Sequence, residues 1–408
     1  MKLVILLVAT ASLGLHAIAC LGANGPATGY HLREIFVPQK SEFTQQHAGG
    51  VSSFDFSPDG KTLAVEFGTQ EPGTTSGKCV AVWDVDGQRL IGTRQVDSNI
   101  PFLAWYTSKI RFSPDGRKLI VLTGPRLVAL SFPELKVLYT FENRVLPEDA
   151  PNQMFIEGFS IASNRLGILR QYDHTSGHTP LLELKMVDLD SGEVLARWNW
   201  PRNSYSIALS PDANFLALAI NPDRWGYRDI PTGENNVFIV RPNSGEVVRG
   251  FNSGYAASNA EFVGGDKTLV TVPLNSHLGP DDAVKLWDRD TGEIELNLDY
   301  PKYGLRGAIS VSADGNLLAI ADFWLNFKDI RLDRDNTRGG ARLLLWSLPA
   351  GKLIYSSEEL GQQYNFGALP MGFSWGGMTP PMLVRMSASG DRLAVGGEFI
   401  SVKSIVKD

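Results

Sequence analysis

Phe56-Ser57-Pro58-Asp59-Gly60-Lys61 precedes the apolar run Thr62-Leu63-Ala64-Val65, and Phe112-Ser113-Pro114-Asp115-Gly116-Arg117 precedes Lys118-Leu119-Ile120-Val121. In each copy Pro and Asp favour a tight turn and Gly supplies a positive φ, between two alternating apolar runs. The pattern therefore predicts a β-hairpin. Weaker copies of this hairpin lie at Leu209–Asp212, Val311–Gly315, Met386–Asp391, Ser160–Asn164 and Phe262–Asp266.

A second repeated element follows these hairpins. Its clearest copies are Val82-Trp83-Asp84-Val85-Asp86-Gly87 and Leu286-Trp287-Asp288-Arg289-Asp290-Thr291-Gly292-Glu293, and further copies span 187–193, 345–351 and, more faintly, 240–246. Each copy leads into another apolar strand, such as Val247–Phe251. One repeat is therefore four strands long, and about seven repeats fit the chain.

This alternation of Ser-Pro-Asp-Gly hairpins with Trp-Asp and Thr-Gly turns resembles the WD-repeat family of β-propellers, over nearly the whole chain after residue 31. The resemblance implies an all-β fold, a single β-propeller of about seven four-stranded blades. The repeats depart from the family in lacking its Gly-His dipeptide, of which only His47 is a candidate remnant. The His-to-Asp hydrogen-bond network of such blades is therefore not expected.

The two ends of the chain predict how the ring closes. After the hairpin around Gly390, the segments Arg392–Gly396 and Ile400–Val406 supply only inner strands of a last blade. Leu32–Val37 is an apolar segment with no blade of its own. We expect this N-terminal strand to pair as the outer strand of the last blade, which removes a free sheet edge.

The amino-acid composition and the net charge limit the kinds of fold and partner that are expected. The 408 residues are 43% hydrophobic and 20% charged, which suits a large folded core, and 41 glycines and 23 prolines suit short strands with tight turns. The formal net charge is -6 and no long basic run occurs, so nucleic acid is not an expected partner.

The N-terminus has the pattern of an export signal. One positive charge and then an apolar stretch ending in small residues make residues 1–19 a signal peptide, followed by a linker over 20–31 and the propeller over 32–408. Ala17-Ile18-Ala19-Cys20 resembles a bacterial lipobox, which implies acylation of Cys20 and a membrane lipid anchor. The alternative to acylation is ordinary signal cleavage at the same site or after Ala23. The protein is expected to be exported to the periplasm or cell envelope, with secretion as the alternative. Cys79 is the only other cysteine and is expected to be a small apolar strand residue.

The extra length of the repeats falls between their second and third strands, at 68–78, 173–180, 221–236, 273–282 and 322–341. In a propeller these connections share one face, here called the top face, whereas the Ser-Pro-Asp-Gly turns lie on the opposite bottom face. Elaborated loops commonly form the binding face of a repeat array. The candidate binding residues are the aromatic and basic ones: Arg224, Trp225, Tyr227, Arg228, Phe323, Trp324, Phe327 and Lys328, with Arg331 beside them. The alternative is that these side chains pack beneath their own loops.

No motif of the sequence predicts a cofactor or a catalytic centre. Gly372-Phe373-Ser374-Trp375-Gly376 matches a hydrolase elbow, but Pro380 and Pro381 oppose the helix that should follow and no His occurs beyond His277. His174 and His178 follow Asp173 as a weak metal candidate, with a solvated loop as the alternative. Asp333, Asp335 and Asn336 lack the closing Glu of a calcium loop.

The expected function is therefore a monomeric, non-enzymatic protein-binding or scaffolding propeller of the cell envelope. One alternative is a propeller enzyme similar to quinoprotein dehydrogenases, whose tryptophan motif is partly echoed by Asp188, Ser191, Gly192, Glu193 and Trp198. Another is an envelope component similar to the propeller domain of TolB-like proteins, which share the Ser-Pro-Asp-Gly hairpins.

Overall fold

The computed structural model describes residues 30–36, 51–69, 76–100, 109–123, 126–142, 154–172, 182–200, 204–220, 234–255, 257–273, 283–298, 304–325, 338–357, 364–365, 383–396 and 400–407. These residues form seven antiparallel sheets of four principal strands each, arranged as the blades of a ring. The all-β fold and the seven-bladed β-propeller predicted from the repeats are confirmed.

The strands are numbered in chain order. A single strand, β1 (Tyr30–Phe36), comes before the first complete blade. Blade 1 contains β2 (Val51–Phe56), β3 (Thr62–Thr69), β4 (Ser76–Asp84) and β5 (Arg89–Ile100). Blade 2 contains β6 (Lys109–Phe112), β7 (Lys118–Leu122), β8 (Arg126–Ser131) and β9 (Val137–Glu142). Blade 3 contains β10 (Met154–Ala162), β11 (Arg165–Tyr172), β12 (Leu182–Asp188) and β13 (Val194–Trp200).

The remaining blades continue the same order. Blade 4 contains β14 (Ser204–Leu209), β15 (Leu216–Ile220), β16 (Val237–Val240) and β17 (Val247–Phe251). Blade 5 contains β18 (Ala257–Val263), β19 (Thr268–Pro273), β20 (Val284–Asp288) and β21 (Ile294–Leu298). Blade 6 contains β22 (Gly304–Val311), β23 (Leu317–Leu325), β24 (Arg338–Ser347) and β25 (Lys352–Ser357), with the short β26 (Tyr364–Asn365) paired to β24. Blade 7 contains β27 (Leu383–Met386), β28 (Arg392–Gly396) and β29 (Ile400–Lys407).

The ring closes as the sequence predicts. β1 pairs antiparallel with β29, from Tyr30 opposite Lys407 to Phe36 opposite Val402, and completes blade 7 as its outer strand. The pairing begins two residues before the expected Leu32. Phe36 is buried in one cluster with Phe54 and Val402, so the closing strand is held by packing as well as by backbone pairing.

The bottom-face turns are closed by their own side chains. In the first turn the Ser57 hydroxyl donates to Asp59 Oδ1 at 2.6 Å, and the same carboxylate accepts the Lys61 N–H at 3.1 Å. Ser113 and Asp115, Ser210 and Asp212, and Ser312 and Asp314 repeat the contact. Because Gly60 has a φ of 69°, glycine suits the last turn position; Ala213 keeps a φ of 59° there in the eroded copy of blade 4.

The core is a set of clusters between neighbouring blades. Apolar residues of the first, second and third strands fill them, including the fully buried Trp83 and Trp346 of the Trp-Asp and Trp-Ser turns. Cys79 is buried at 7% exposure in blade 1 and forms no disulfide within the described part of the chain, and burial raises its pKa to about 11. It is therefore the small apolar strand residue that the sequence predicts.

Candidate functional site

The predicted top-face anchors are only partly described by the structure. Arg224, Trp225, Tyr227, Arg228, Phe327, Lys328 and Arg331 lie outside the described residues. Phe323 and Trp324 lie in β23, where the Trp324 backbone pairs with Gly304 and Gly340. Their placement in a loop is therefore corrected: the β23–β24 hairpin extends farther than the sequence indicated. The 68–78 insertion is shortened in the same way, because β3 runs to Thr69 and β4 begins at Ser76, whereas the 221–236 insertion lies between β15 and β16 with its predicted bounds.

The remaining sequence candidates also fall outside the described residues. They are Cys20, His174, His178, the Gly372–Gly376 segment, and the acidic loop of Asp333, Asp335 and Asn336. Within the described ranges, no group of three or more His, Cys, Asp or Glu side chains could hold a metal ion. The described part of the chain also contains no helix of the length and hydropathy needed to span a bilayer.

Trp198, the tryptophan of the quinoprotein-like pattern, makes a contact between blades. Its Nε1 donates to the carbonyl oxygen of Pro242 in the next blade at 3.0 Å. Its ring lies so close to Gly245 that a Cβ added there would be 2.7 Å from Trp198 Cδ2. Tyr139 makes the equivalent contact one blade earlier, donating to the Leu189 carbonyl at 2.9 Å beside Gly192. The contact therefore recurs between blades, with tyrosine in place of tryptophan.

A buried polar network joins blades 4 and 5 near their top-face ends. Trp287 Nε1 donates to Thr271 Oγ1 at 2.8 Å, and the Tyr255 hydroxyl lies 2.8 Å from the same oxygen. Asn236 donates to the Ser253 hydroxyl at 2.9 Å, in a part of the chain that the sequence assigned to a loop. Tyr255 lies at the centre of the network, because its carbonyl oxygen also accepts bonds from Asn236 at 2.8 Å and Ser253 at 2.6 Å.

Lys285 completes that network. Its ammonium donates to the Ser253 carbonyl at 2.7 Å and lies 4.9 Å from the centroid of the Tyr255 ring and 5.9 Å from that of Trp287. A buried ammonium is stabilised by a carbonyl and by the negative faces of aromatic rings. The network therefore joins blade 4 to blade 5, and the bonds described above are made between its own groups.

The second polar region surrounds the centre of the ring. The innermost strands of the blades contact one another in sequence, and β27 returns to β2. The residues two positions before each bottom-face hairpin occupy one register, and we call them the channel ring: Asp55, Arg111, Ser160, Ala208, Glu261, Ser310 and Arg385. Four of the seven carry ionisable groups.

Short polar side chains of this inner layer join successive blades. The Ser160 hydroxyl accepts the Leu209 N–H and the Ser310 hydroxyl accepts the Met386 N–H, each at 2.9 Å. Asp55 Oδ2 likewise accepts the Phe112 N–H at 2.9 Å. Because an innermost strand has no sheet partner on its inner edge, these bonds satisfy backbone donors that would otherwise be unpaired.

Charged members of the ring interact electrostatically across its centre. Glu261 belongs to blade 5 and interacts electrostatically with Arg111 and Lys109 of blade 2, three blades away. Side chains that far apart around a seven-membered ring can interact only by pointing toward its centre. Burial is the largest effect on each titrating group: it raises the pKa of Asp55 to about 6 and also raises that of Glu261, and it lowers the pKa of Lys109 to about 7.

No protein-family model matches this sequence, and no curated protein matches it. The strand order and the closed ring establish the fold as a seven-bladed β-propeller. The fold by itself assigns no function to this chain, because one fold serves many functions.

The sequence reasoning missed the channel ring. Each member precedes a hairpin motif that the repeats had already identified, and aligning the repeats would have placed Asp55, Arg111, Glu261 and Arg385 in one column. The recurrence of charged residues in that column was the available signal.

Proposed function

We propose that this chain is an exported, non-enzymatic propeller that binds or scaffolds a protein or peptide partner through its top face, as a divergent member of the WD-repeat family. The observation that carries the proposal is the difference between the two faces. Bottom-face turns such as Ser57–Lys61 are short, and their polar side chains form hydrogen bonds within the same turn. Such turns offer few free groups to a partner.

The top-face connections differ in length and chemistry. Residues 221–236 connect β15 to β16, and residues 326–337 connect β23 to β24. Their sequences hold Trp225, Tyr227 and Phe327 with neighbouring arginines and lysines, the residue types that dominate protein interfaces. Long insertions on one face of a rigid repeat scaffold support a binding role for that face.

The proposal includes export by the N-terminal signal over residues 1–19, with Cys20 as the acylated first residue of the mature protein in the cell envelope. Changing Cys20 to Ser separates lipid anchoring from plain secretion. An acylated protein partitions into detergent and labels with radioactive fatty acid, and the Cys20→Ser variant loses both properties. Unchanged partitioning of the variant would contradict the anchor while leaving the propeller proposal intact.

The binding proposal is tested by pull-down from envelope extract with the mature protein as bait. The Trp225→Ala, Trp324→Ala double variant should lose a partner that the unchanged protein captures. The matched control is the Leu138→Ala, Leu195→Ala double variant, because both leucines are exposed on outer strands, at 47% and 43%. Equal capture by all three baits, at equal thermal stability, would contradict a top-face interface.

A further inference from the structure

Two basic side chains of blade 2 lie on the same side of one inner strand. Lys109 and Arg111 occupy alternate positions of β6, and alternate residues of a strand share a face. Lys109 Nζ donates to the Phe159 carbonyl at 2.6 Å, and Arg111 Nη1 donates to the Ile110 carbonyl at 2.8 Å. No other acceptor among the described residues lies within hydrogen-bond distance of either group, so most of the guanidinium donors are available.

The carboxylates of the channel do not satisfy those donors. Asp55 accepts the Phe112 N–H and has Arg385 Nε 4.0 Å from its Oδ1. Arg385 in turn donates to the Ile309 carbonyl at 2.7 Å. Glu261 interacts electrostatically with Lys109 and Arg111, but it forms no ion pair or hydrogen bond with any of the described residues. A gap therefore separates Glu261 from the two basic groups.

When Lys109 is protonated, the described channel carries an excess of positive charge. Lys109, Arg111 and Arg385 are basic, whereas Asp55 and Glu261 are the acidic groups that face them. Two like charges on alternate positions of a strand repel, and the surrounding protein screens them less than water does. A negative charge beside Lys109 and Arg111 would therefore reduce their repulsion, and the described residues do not supply one within ion-pair distance.

We propose that the centre of the ring binds a small oxyanion, a carboxylate or a phosphate group, held by the Arg111 guanidinium and the Lys109 ammonium. The planar fork of an arginine presents parallel N–H donors that match two oxygens of such a group. The site is reachable by solvent, since Asp55 and Arg385 in the same layer keep 15% and 18% of their side-chain surface exposed. This site is separate from the proposed top-face interface and does not depend on it.

Binding is coupled to proton uptake. Burial and the neighbouring Arg111 lower the pKa of Lys109 to about 7, against the opposing influence of Glu261 and Asp55. A bound anion adds a negative charge beside the ammonium and raises that pKa. At pH 7.5 part of the Lys109 population is neutral in the free protein, so it takes up a proton when the anion binds.

The test is isothermal titration of the full mature protein with inorganic phosphate and, separately, with acetate, at pH 7.5 and constant ionic strength. At least one probe should bind saturably at one site, and measurements in two buffers of different ionisation enthalpy should show proton uptake. Saturation by phosphate alone identifies a phosphate-bearing ligand, and saturation by acetate alone identifies a carboxylate. Absence of saturable binding by both probes overturns the proposal and leaves water as the content of the channel.

Arg111→Gln should weaken the binding at least tenfold. Arg117→Gln is the matched control, because Arg117 is exposed on the turn of the same blade and its loss changes the net charge equally. Equal weakening by both variants would indicate non-specific attraction and overturn the site. If Arg111→Gln does not fold, Lys109→Gln replaces it and should abolish the proton uptake; retained uptake in that variant would contradict the proposed role of Lys109.

Discussion

Trp198 in β13 packs over Gly245 of the next blade, and its indole N–H bonds to the Pro242 carbonyl at 3.0 Å. The outer strand of one blade is thereby fastened to the bottom-face turn of its neighbour. Tyr139 and Gly192 form the same relationship between blades 2 and 3. Blade packing therefore depends on aromatic residues that meet glycines, as well as on the buried apolar clusters.

Replacing Gly245 with Ala should destabilise the protein by about 2 to 4 kcal/mol. The φ of 73° is unfavourable for alanine by roughly 1 kcal/mol, and displacing the Trp198 ring adds an overpacking cost of about 1 to 3 kcal/mol. In a Trp198→Ala background the second cost disappears, so chemical denaturation of the four proteins should show coupling.

Gly265→Ala is the control for that cycle. Gly265 also has a positive φ, of 145°, and an added Cβ would meet nothing within 4 Å. It should show the backbone cost alone, with no coupling to Trp198. Additive effects of Gly245→Ala and Trp198→Ala would contradict the packing relationship.

Deleting Tyr30–Phe36 should lower the free energy of unfolding by several kcal/mol, because β1 supplies the outer strand of blade 7. The deletion removes backbone bonds to β29 worth about 1 kcal/mol each and the buried Phe36 side chain. It also exposes the β29 edge to other chains. Thermal unfolding and light scattering should show a lower Tm and concentration-dependent association, whereas an equal deletion of residues 22–28 should show neither.

Asp55 should make the protein less stable as the pH rises from about 4 to about 6. Burial raises its folded-state pKa from 3.8 to about 6, so the folded state holds the proton more tightly than the unfolded state. The stabilisation is complete below the unfolded pKa and is lost as pH rises through the folded pKa, amounting to about 3 kcal/mol. Denaturation at each pH should show a flatter profile for Asp55→Asn than for the unchanged protein.

Asp314→Asn gives the comparison of opposite sign. The Ser312 hydroxyl and the Asn316 N–H lower the pKa of Asp314, so its stabilisation is present above the unfolded pKa and is lost as pH falls. The loss of unfolding free energy in Asp314→Asn, relative to the unchanged protein, should therefore grow as pH rises. The unfolding free energy of Asp55→Asn, relative to the unchanged protein, should change with pH in the opposite direction. Parallel profiles for the two variants would refute the buried-carboxyl assignment.

Thr271→Val should destabilise the protein by about 1 to 3 kcal/mol. The change keeps the shape of the side chain but leaves the buried Trp287 N–H without its acceptor at 2.8 Å. Thr140→Val on the exposed face of β9 is the control and should change the free energy of unfolding by less than about 0.5 kcal/mol. Equal stability of Thr271→Val and the unchanged protein would show that water or another group replaces the lost acceptor.

The hairpin and turn motifs were sufficient to predict the repeats and the class of fold. Ser57, Pro58, Asp59 and Gly60 specify a turn through interactions that are local in the chain, and local interactions can be read from a sequence. The closing strand was also predictable, because seven repeats left one strand missing at the C-terminus and one unassigned at the N-terminus. The ends of β3 and β23 were misjudged, since cross-strand pairing carried those strands into segments whose composition resembles loops.

The sequence by itself determined the number of strands in a repeat, the turns between them and the order in which they close the ring, because each follows from neighbours in the chain. Only the tertiary structure decided that Glu261 faces Lys109 and Arg111 across the ring, and that Trp198 meets Gly245. Those pairs lie on different blades, and their distances depend on the closure of the whole ring. Burial at that centre then sets the pKa values of Asp55 and Lys109, a property that no local pattern of residues encodes.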